Sequence, residues 1–178
     1  LEKIAELTPH SSQNKNRFFV NKTKSLASTK KFFNESQAIT GVELKEFSLL
    51  YLLINNFSLF QANIHLVENI KLFTEINKQI FNSLISHLKS SSKVDIENLN
   101  LDKQLLDKIN KFAPIKHILK NKPKNDSRVI ELLDDISKDL FNYDLELRIQ
   151  ELESRFSKDM SETTFKELKE LKNERKTN

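Results

Sequence analysis

The sequence predicts an all-α fold, in which a helical bundle is followed by a long connecting helix and a C-terminal helical hairpin. Its 178 residues include one glycine and three prolines, so few positions suit tight turns or phosphate-binding loops. Apolar residues recur at helical spacing along most of the chain. Cysteine is absent, which excludes disulfides and favours a reducing, cytoplasmic setting. No apolar stretch approaches the roughly 20 residues of a membrane-spanning helix, so we expect no membrane association.

Residues 1–39 are predicted to contain the end of one helix and a flexible basic linker. Residues 1–7 resemble the last turns of a helix that begins upstream, so we expect the chain to be the C-terminal part of a longer protein. Residues 8–39 lack a sustained apolar period, which is typical of a flexible linker, and Phe18-Phe19 and Phe32-Phe33 are two places where it could contact another surface. They carry six Lys or Arg against one acid, whereas residues 40–178 hold 22 bases and 22 acids. The positive charge therefore belongs to the linker.

A helical bundle is predicted over residues 40–141. Thr40 and Glu43 have the spacing of a capping box, so the first helix of the bundle should begin there and run to about Asn55. Because this helix is apolar on nearly all sides, we expect it to be the central buried helix. Further helices are predicted from about Phe60 to Ile70, from Phe73 to Leu88 with Ile76 on the inward face, from Leu101 to Phe112, and over Ile115 to Leu119.

A long helix is predicted from about Asp126 to Asp159. Its first half has a broad apolar face that suits the bundle. Its second half has a narrower apolar seam, formed by Leu145, Ile149, Leu152 and Phe156. The sequence leaves open whether the helix is continuous through Asn142-Tyr143-Asp144 or bends there.

Residues 142–178 are predicted to form a helical hairpin that binds a partner. Ser161 can cap the last helix, and Met160 and Phe165 occupy the positions of a hydrophobic staple. Such a hairpin buries too little to be stable alone in water, which favours a docking role. The apolar residues predicted to contact the partner are Phe156, Met160, Phe165, Leu168 and Leu171, and the last three also form the seam between the two helices. Arg155, Lys158 and Lys172 are predicted to form a polar rim around them.

The sequence predicts no catalytic residue and no metal ligand. The four histidines lie far apart in sequence, and the phosphate-loop, dinucleotide-binding and zinc-helix motifs are all missing. Asp134 and Asp135 would point about 100° apart on a helix, so they are better interpreted as part of a solvated acidic face than as magnesium ligands.

A basic stretch between residues 108 and 128 is the best candidate for contact with nucleic acid. The cations assigned to this contact are Lys116, Lys120, Lys122, Lys124 and Arg128. The stretch lacks the aromatic interleaving of many nucleic-acid-binding surfaces, so a solvated face is the simpler interpretation and direct nucleic-acid contact is not expected. A helical nucleic-acid-binding domain that uses the linker and this stretch is the alternative function.

The C-terminal residues contain the motif Leu152-Glu153-x-x-Phe156 followed by Asp159-x-Ser161-Glu162-x-x-Phe165-x-x-Leu168-x-x-Leu171-x-x-Glu174. This motif resembles the extreme C-terminus of bacterial DNA primase, DnaG, and the alphaproteobacterial versions most closely. The run from Phe47 to Asn55 resembles the opening helix of the helicase-binding domain of that family. Where the family often continues with Asn-His-Pro, this chain has Asn55-Asn56-Phe57, and residues 58–125 match in helical pattern alone.

The resemblance implies a non-catalytic fragment of a primer-synthesising DNA-directed RNA polymerase. Residues 1–7 would be the tail of its polymerase core. The hairpin would dock on the replicative helicase hexamer of DnaB type and couple primer synthesis to the replication fork in the bacterial cytoplasm, while the bundle would modulate the helicase. A single-stranded DNA-binding protein is a further candidate partner. Zinc and magnesium are expected only in upstream domains, so this fragment should need no cofactor.

Overall fold

The computed structural model describes residues 27–90, 103–120 and 125–177. These residues form eight α-helices and one short 3-10 turn, and no strand occurs among them, which confirms the all-α prediction. The elements, in chain order, are α1 (Ala27–Gln37), α2 (Gly41–Asn55), α3 (Phe57–Ala62), the 3-10 turn Ile64–Leu66, α4 (Glu75–Lys89), α5 (Lys103–Phe112), α6 (Ile115–Lys120), α7 (Asp126–Asp159) and α8 (Glu162–Thr177). No helix within these ranges combines the length and the apolar character needed to cross a membrane.

The central helix of the bundle is α2, as predicted. It begins with the predicted capping box, in which Thr40 Oγ1 accepts a hydrogen bond from the Glu43 N–H and the Glu43 carboxylate accepts one from the Thr40 N–H, both at 3.2 Å. The helix packs against α4, α5, α6 and α7. Its buried apolar residues are Phe47, Leu49, Leu50, Leu52 and Leu53. Each such side chain contributes about 1.5–3 kcal/mol on burial, so α2 organises the core of the bundle.

The region after α2 is more broken than the sequence predicts. The helix expected from Phe60 to Ile70 is instead α3, which ends at Ala62, and the 3-10 turn that follows it. The side-chain amides of Asn56 and Asn63 donate to the carbonyls of Leu52 and Leu59, both at 2.9 Å. Such side chains satisfy backbone groups at helix ends, and this competes with continuation of the helix.

A buried carboxylate fixes the start of α4. Glu46 is fully buried in the middle of α2, and its Oε1 accepts hydrogen bonds from the backbone N–H groups of Phe73 and Thr74, the latter at 3.0 Å. Its Oε2 accepts from the side-chain amide of Asn77, which is also buried, at 2.7 Å. These N–H groups belong to the N-cap residue Thr74 and the residue before it, next to the partial positive charge at the start of α4, so the carboxylate stabilises this end. Ile76, assigned to the inward face, is exposed instead.

The segment before α2 corrects the prediction of a linker that extends to residue 39. Residues 27–37 form α1, which lies on the bundle although none of its residues is buried. The Phe32 ring stacks on Phe112 of α5 with centroids 5.2 Å apart, and Glu35 forms an ion pair with Lys111. Because α1 contacts the bundle mainly through one aromatic ring and one charged side chain, its sequence shows no sustained apolar period from which the helix could be predicted. Residues 1–26, with the predicted tail 1–7, lie outside the described residues.

The long helix α7 is continuous through residues 142–144, which answers the question that the sequence leaves open. Its 34 residues span about 50 Å. Its first half packs against α2, and the contacts with the bundle continue to Tyr143, whose ring meets that of Phe73 edge-on at 4.8 Å. Lys71 forms an ion pair with Asp144 at 3.6 Å. Further along, the helix pairs with α8.

Candidate docking site

The terminal hairpin has a small core of its own. Ile149 and Leu152 of α7 are buried against Leu168 of α8, and the partly buried Leu171 packs on them. Thr164 is also buried. At about 100° per residue, residues 164, 168 and 171 share a stripe about 60° wide. Phe165, which the sequence placed in this seam, lies outside the stripe and is 51% exposed.

Two ion pairs join the helices of the hairpin. Glu153 contacts Lys172 at 2.7 Å, and Glu146 contacts Arg175. Such exposed pairs contribute at most about 1 kcal/mol each, so their main effect is on the register of the two helices. Lys172 lies about 15 Å along α8 from its first residue, too far from the turn to belong to a rim around it.

The turn of the hairpin contains a residue in the left-handed region. Met160 has φ 44° and ψ 35°, and its N–H donates to the Phe156 carbonyl at 2.9 Å, which ends α7. Glycine usually takes this position, because a side chain there costs about 1–2 kcal/mol. Ser161 follows, and its hydroxyl contacts the Thr163 hydroxyl at 2.6 Å, where the sequence predicted a bond to a backbone N–H. The Ser161 carbonyl accepts the Phe165 N–H at 3.0 Å.

Three apolar side chains surround this turn, and we call Phe156, Met160 and Phe165 the apolar tip. The rings of Phe156 and Phe165 lie 5.8 Å apart and are tilted by 40°. A closed hydrophobic staple would cover Met160, but this side chain is 77% exposed. The tip therefore presents apolar groups to solvent at the end of the hairpin, which is a feature of surfaces that bind other macromolecules.

The eight residues predicted to contact a partner occupy different parts of the hairpin. Phe156, Met160 and Phe165 lie together at the tip. Leu168 is buried and Leu171 is partly buried between the helices, so both belong to the core of the hairpin. Among the basic residues, Arg155 forms an ion pair with Glu151 at 3.2 Å, Lys158 is exposed in the last turn of α7, and Lys172 joins the two helices.

Of the basic residues assigned to nucleic acid, Lys116 and Arg128 contact different parts of the fold. Lys116 donates to the Asn110 carbonyl at 2.7 Å, which draws it back towards α5. Arg128 lies in the first turn of α7 and pairs with Glu131 at 2.8 Å. The side chain of Lys120, and the whole of Lys122 and Lys124, lie outside the described residues.

No three His, Asp or Glu side chains in ranges 27–90, 103–120 and 125–177 are grouped as metal ligands would be.

Comparisons with family models, with curated proteins and with solved structures found no match to this chain.

Proposed function

We propose that this chain is the helicase-binding region of a bacterial DNA primase and that its apolar tip docks on the replicative helicase hexamer. The single observation that carries the proposal is the exposure of Met160 and Phe165 at the turn of the hairpin, where the Phe165 ring lies next to that of Phe156. The resemblance of the terminal motif to primases supplies the identity of the partner.

The geometry of α7 supports a docking role for the tip. Asp144 forms an ion pair with Lys71 of the bundle, and the helix continues to Asp159, about 20 Å further along its axis. A partner can therefore reach the turn without displacing the bundle. Burial of the exposed parts of Met160 and Phe165 would contribute up to about 1.5–3 kcal/mol per side chain.

Charged residues near the turn suit the rim of such an interface. Arg155 and Lys158 lie within the last two turns of α7 and are exposed. Charges at a rim act mainly on association rate and orientation, so these residues should steer the hairpin towards an acidic surface of the partner. Lys172 does not take part in this rim, because it joins α7 to α8.

In the cell this docking would couple primer synthesis to unwinding at the replication fork in the bacterial cytoplasm. The fragment itself performs no catalysis under this proposal, and zinc and magnesium act in the upstream domains. The bundle would modulate the helicase, and a single-stranded DNA-binding protein remains a further candidate partner.

The test is a binding titration against the cognate replicative helicase hexamer. We expect Met160→Asp combined with Phe165→Asp to weaken binding at least tenfold, because two charges would then enter an apolar interface. The matched control is Ile76→Asp combined with Ile118→Asp, which changes two exposed apolar residues of the bundle in the same way. The control should bind within twofold of the unchanged chain.

Circular dichroism and thermal melting establish that both double variants are folded before binding is compared. Unchanged helicase binding by the tip variant would overturn the assignment of the apolar tip. Equal losses in the tip variant and in the control would also overturn it, since they would indicate a general response to added negative charge.

A further inference from the structure

Met160 carries the one sulfur atom of this chain, because the sequence contains a single methionine and no cysteine. Its side chain is 77% exposed, more than any other large apolar side chain in the part of the chain that the structure describes. The sulfur lies near the end of an unbranched side chain, so it belongs to the exposed part. The atom that peroxides oxidise most readily therefore stands in solvent at the turn of the hairpin.

Neither the turn nor the apolar tip requires a sulfur atom at this position. Met160 has φ 44° and ends α7 through the hydrogen bond from its N–H to the Phe156 carbonyl. Glycine would adopt this conformation with less strain. Leucine would offer a similar apolar area, because leucine and methionine have nearly the same volume. The property that distinguishes methionine from both is the reactivity of its sulfur.

Oxidation of this sulfur would change the chemical character of the apolar tip. The sulfur lone pair attacks one oxygen of hydrogen peroxide, so an S–O bond forms while the O–O bond breaks, and the second oxygen leaves as water. The sulfur loses two electrons and the peroxide gains them. The product, methionine sulfoxide, carries a polar S–O group where the thioether was apolar.

The same oxidation should leave the free chain folded. The hairpin core consists of Ile149, Leu152 and Leu168, with Leu171 packed on them, and Met160 lies outside it. Because the Met160 side chain is already exposed, water can solvate the new oxygen without any rearrangement of the hairpin. The oxidation would therefore have little effect until a partner covers the tip.

We propose that Met160 is a site of reversible oxidation by peroxides and that its sulfoxide weakens docking of the apolar tip. The inference rests on the proposed function, because it concerns the regulation of the same tip. In the complex the sulfoxide oxygen would pass from water into an apolar contact, which is unfavourable. Methionine sulfoxide reductases regenerate the thioether with two thiols, which become a disulfide while the oxygen leaves as water. Docking would thus respond to the level of peroxide.

The first measurement is the rate of oxidation, which needs no partner. The full 178-residue chain is treated with hydrogen peroxide, and the gain of one oxygen atom is followed by intact mass spectrometry. The matched variant combines Met160→Leu with Leu84→Met, which moves the sulfur to a fully buried position in α4 while it nearly conserves the core volume. We expect the native chain to be oxidised about tenfold faster or more, because susceptibility follows exposure.

The second measurement compares helicase binding before and after oxidation. The peroxide is removed before the cognate replicative helicase hexamer is added, so the helicase itself stays unmodified. We expect the oxidised chain to bind about fivefold more weakly or worse, because a polar group then enters the apolar contact. Its thermal melting should be unchanged, and treatment with reductases for both sulfoxide epimers should restore the affinity.

A relocated sulfur provides the control for binding. Met160→Leu combined with Ile76→Met moves the sulfur to a residue of α4 that is 57% exposed and lies outside the hairpin. Peroxide should oxidise this variant as well, because the sulfur is again exposed. Its affinity for the helicase is compared only with its own value before treatment, and the oxidation should not change that value.

Five results would overturn the proposal. These are equal oxidation rates for the exposed and the buried sulfur, unchanged helicase binding after oxidation, an equal loss in the relocated-sulfur control, a melting temperature that falls on oxidation, or an affinity that the reductases fail to restore. Failure of the proposed function gives a different pattern. The untreated chain would then not bind the helicase, and the effect on docking would be refuted with it, although Met160 would still be oxidised faster than the buried sulfur.

Discussion

The carboxylate of Glu46 in α2 accepts a hydrogen bond from the side-chain amide of Asn77 in α4 at 2.7 Å, and both residues are buried. The same carboxylate accepts the backbone N–H groups of Phe73 and Thr74. One side chain of the central helix thus satisfies three donors at the start of another helix. This places the polar contact inside an otherwise apolar core, where it specifies how α4 is oriented.

Glu46→Ala should destabilise the bundle by about 2–4 kcal/mol, because it leaves buried donors without an acceptor. Chemical denaturation followed by circular dichroism measures this loss. Glu43→Ala is the matched control on the same helix, since it removes an exposed carboxylate from the capping box and should cost about 1 kcal/mol. Equal costs for the two variants would contradict the importance of the buried contact.

Met160→Gly should stabilise the hairpin by about 0.5–1 kcal/mol, because glycine adopts the left-handed conformation without strain. Thermal melting and denaturant titration measure the gain. Lys158→Gly, two residues earlier and inside α7, should instead cost about 1 kcal/mol. The same substitution should thus have opposite signs at neighbouring positions, and a loss of stability at both would refute the argument from backbone strain.

Met160→Gly also separates folding from docking. The variant removes the most exposed apolar side chain of the tip while it relieves the turn. We therefore expect a more stable hairpin that binds the helicase more weakly, which a binding titration on the same preparation would detect. Binding that strengthens along with stability would show that the Met160 side chain makes no contact in the complex.

Leu168→Ala should detach α8 while the bundle stays folded. The core of the hairpin is small, so a cavity there removes a large part of its stability, about 2–5 kcal/mol for a buried leucine. Hydrogen exchange should then accelerate in α8 and stay slow in α4. The matched control is Leu147→Ala, which truncates an exposed leucine of α7 and should change stability by less than about 0.5 kcal/mol. Faster exchange in α4 as well would contradict the independence of the hairpin.

Acidification should weaken the contact between α1 and α5. Hydrogen bonding from Lys111 lowers the pKa of Glu35 below its ordinary value of 4.5. The stabilising effect is therefore complete above that ordinary value and is lost as the pH falls through the lowered pKa, while Lys31, Lys108 and Lys111 stay charged. The NMR resonances of the Phe32 ring should shift as Glu35 is protonated. This pH-dependent shift should be missing in Glu35→Gln. The same pH dependence in Glu35→Gln would contradict this assignment.

Local signals in the sequence predict the elements of the fold better than they predict its contacts. The capping box at Thr40 and Glu43 is contained within four residues, so its spacing was sufficient to place the start of α2. The partners of Glu46 lie 27 to 31 residues further along the chain, so no local spacing within α2 could indicate them. The stacking of Phe32 on Phe112 is more distant still and leaves no pattern in either segment.

The hairpin shows how the phase of a helix can override hydrophobicity. Phe165 is the more apolar residue and was placed in the seam, yet Thr164 is the one that is buried with Leu168. The chain turns into α8 at Met160, which has a left-handed backbone conformation. Glycine is the usual sequence signal for this conformation, and it is missing here. The three residues of the tip were identified from the sequence, whereas their separation from the hairpin core required the structure.

Because α7 is one continuous helix past residue 144, the position of the hairpin relative to the bundle depends on the number of residues between them. Each residue added to a continuous helix turns whatever follows by about 100° and advances it by 1.5 Å. An insertion of one residue beyond Asp144 would therefore aim the apolar tip in a new direction while it hardly changed the reach, and an insertion of seven, close to two full turns, would restore the direction at a reach about 10 Å greater. The number of residues in α7 beyond Asp144 therefore sets the direction in which the apolar tip points relative to the bundle.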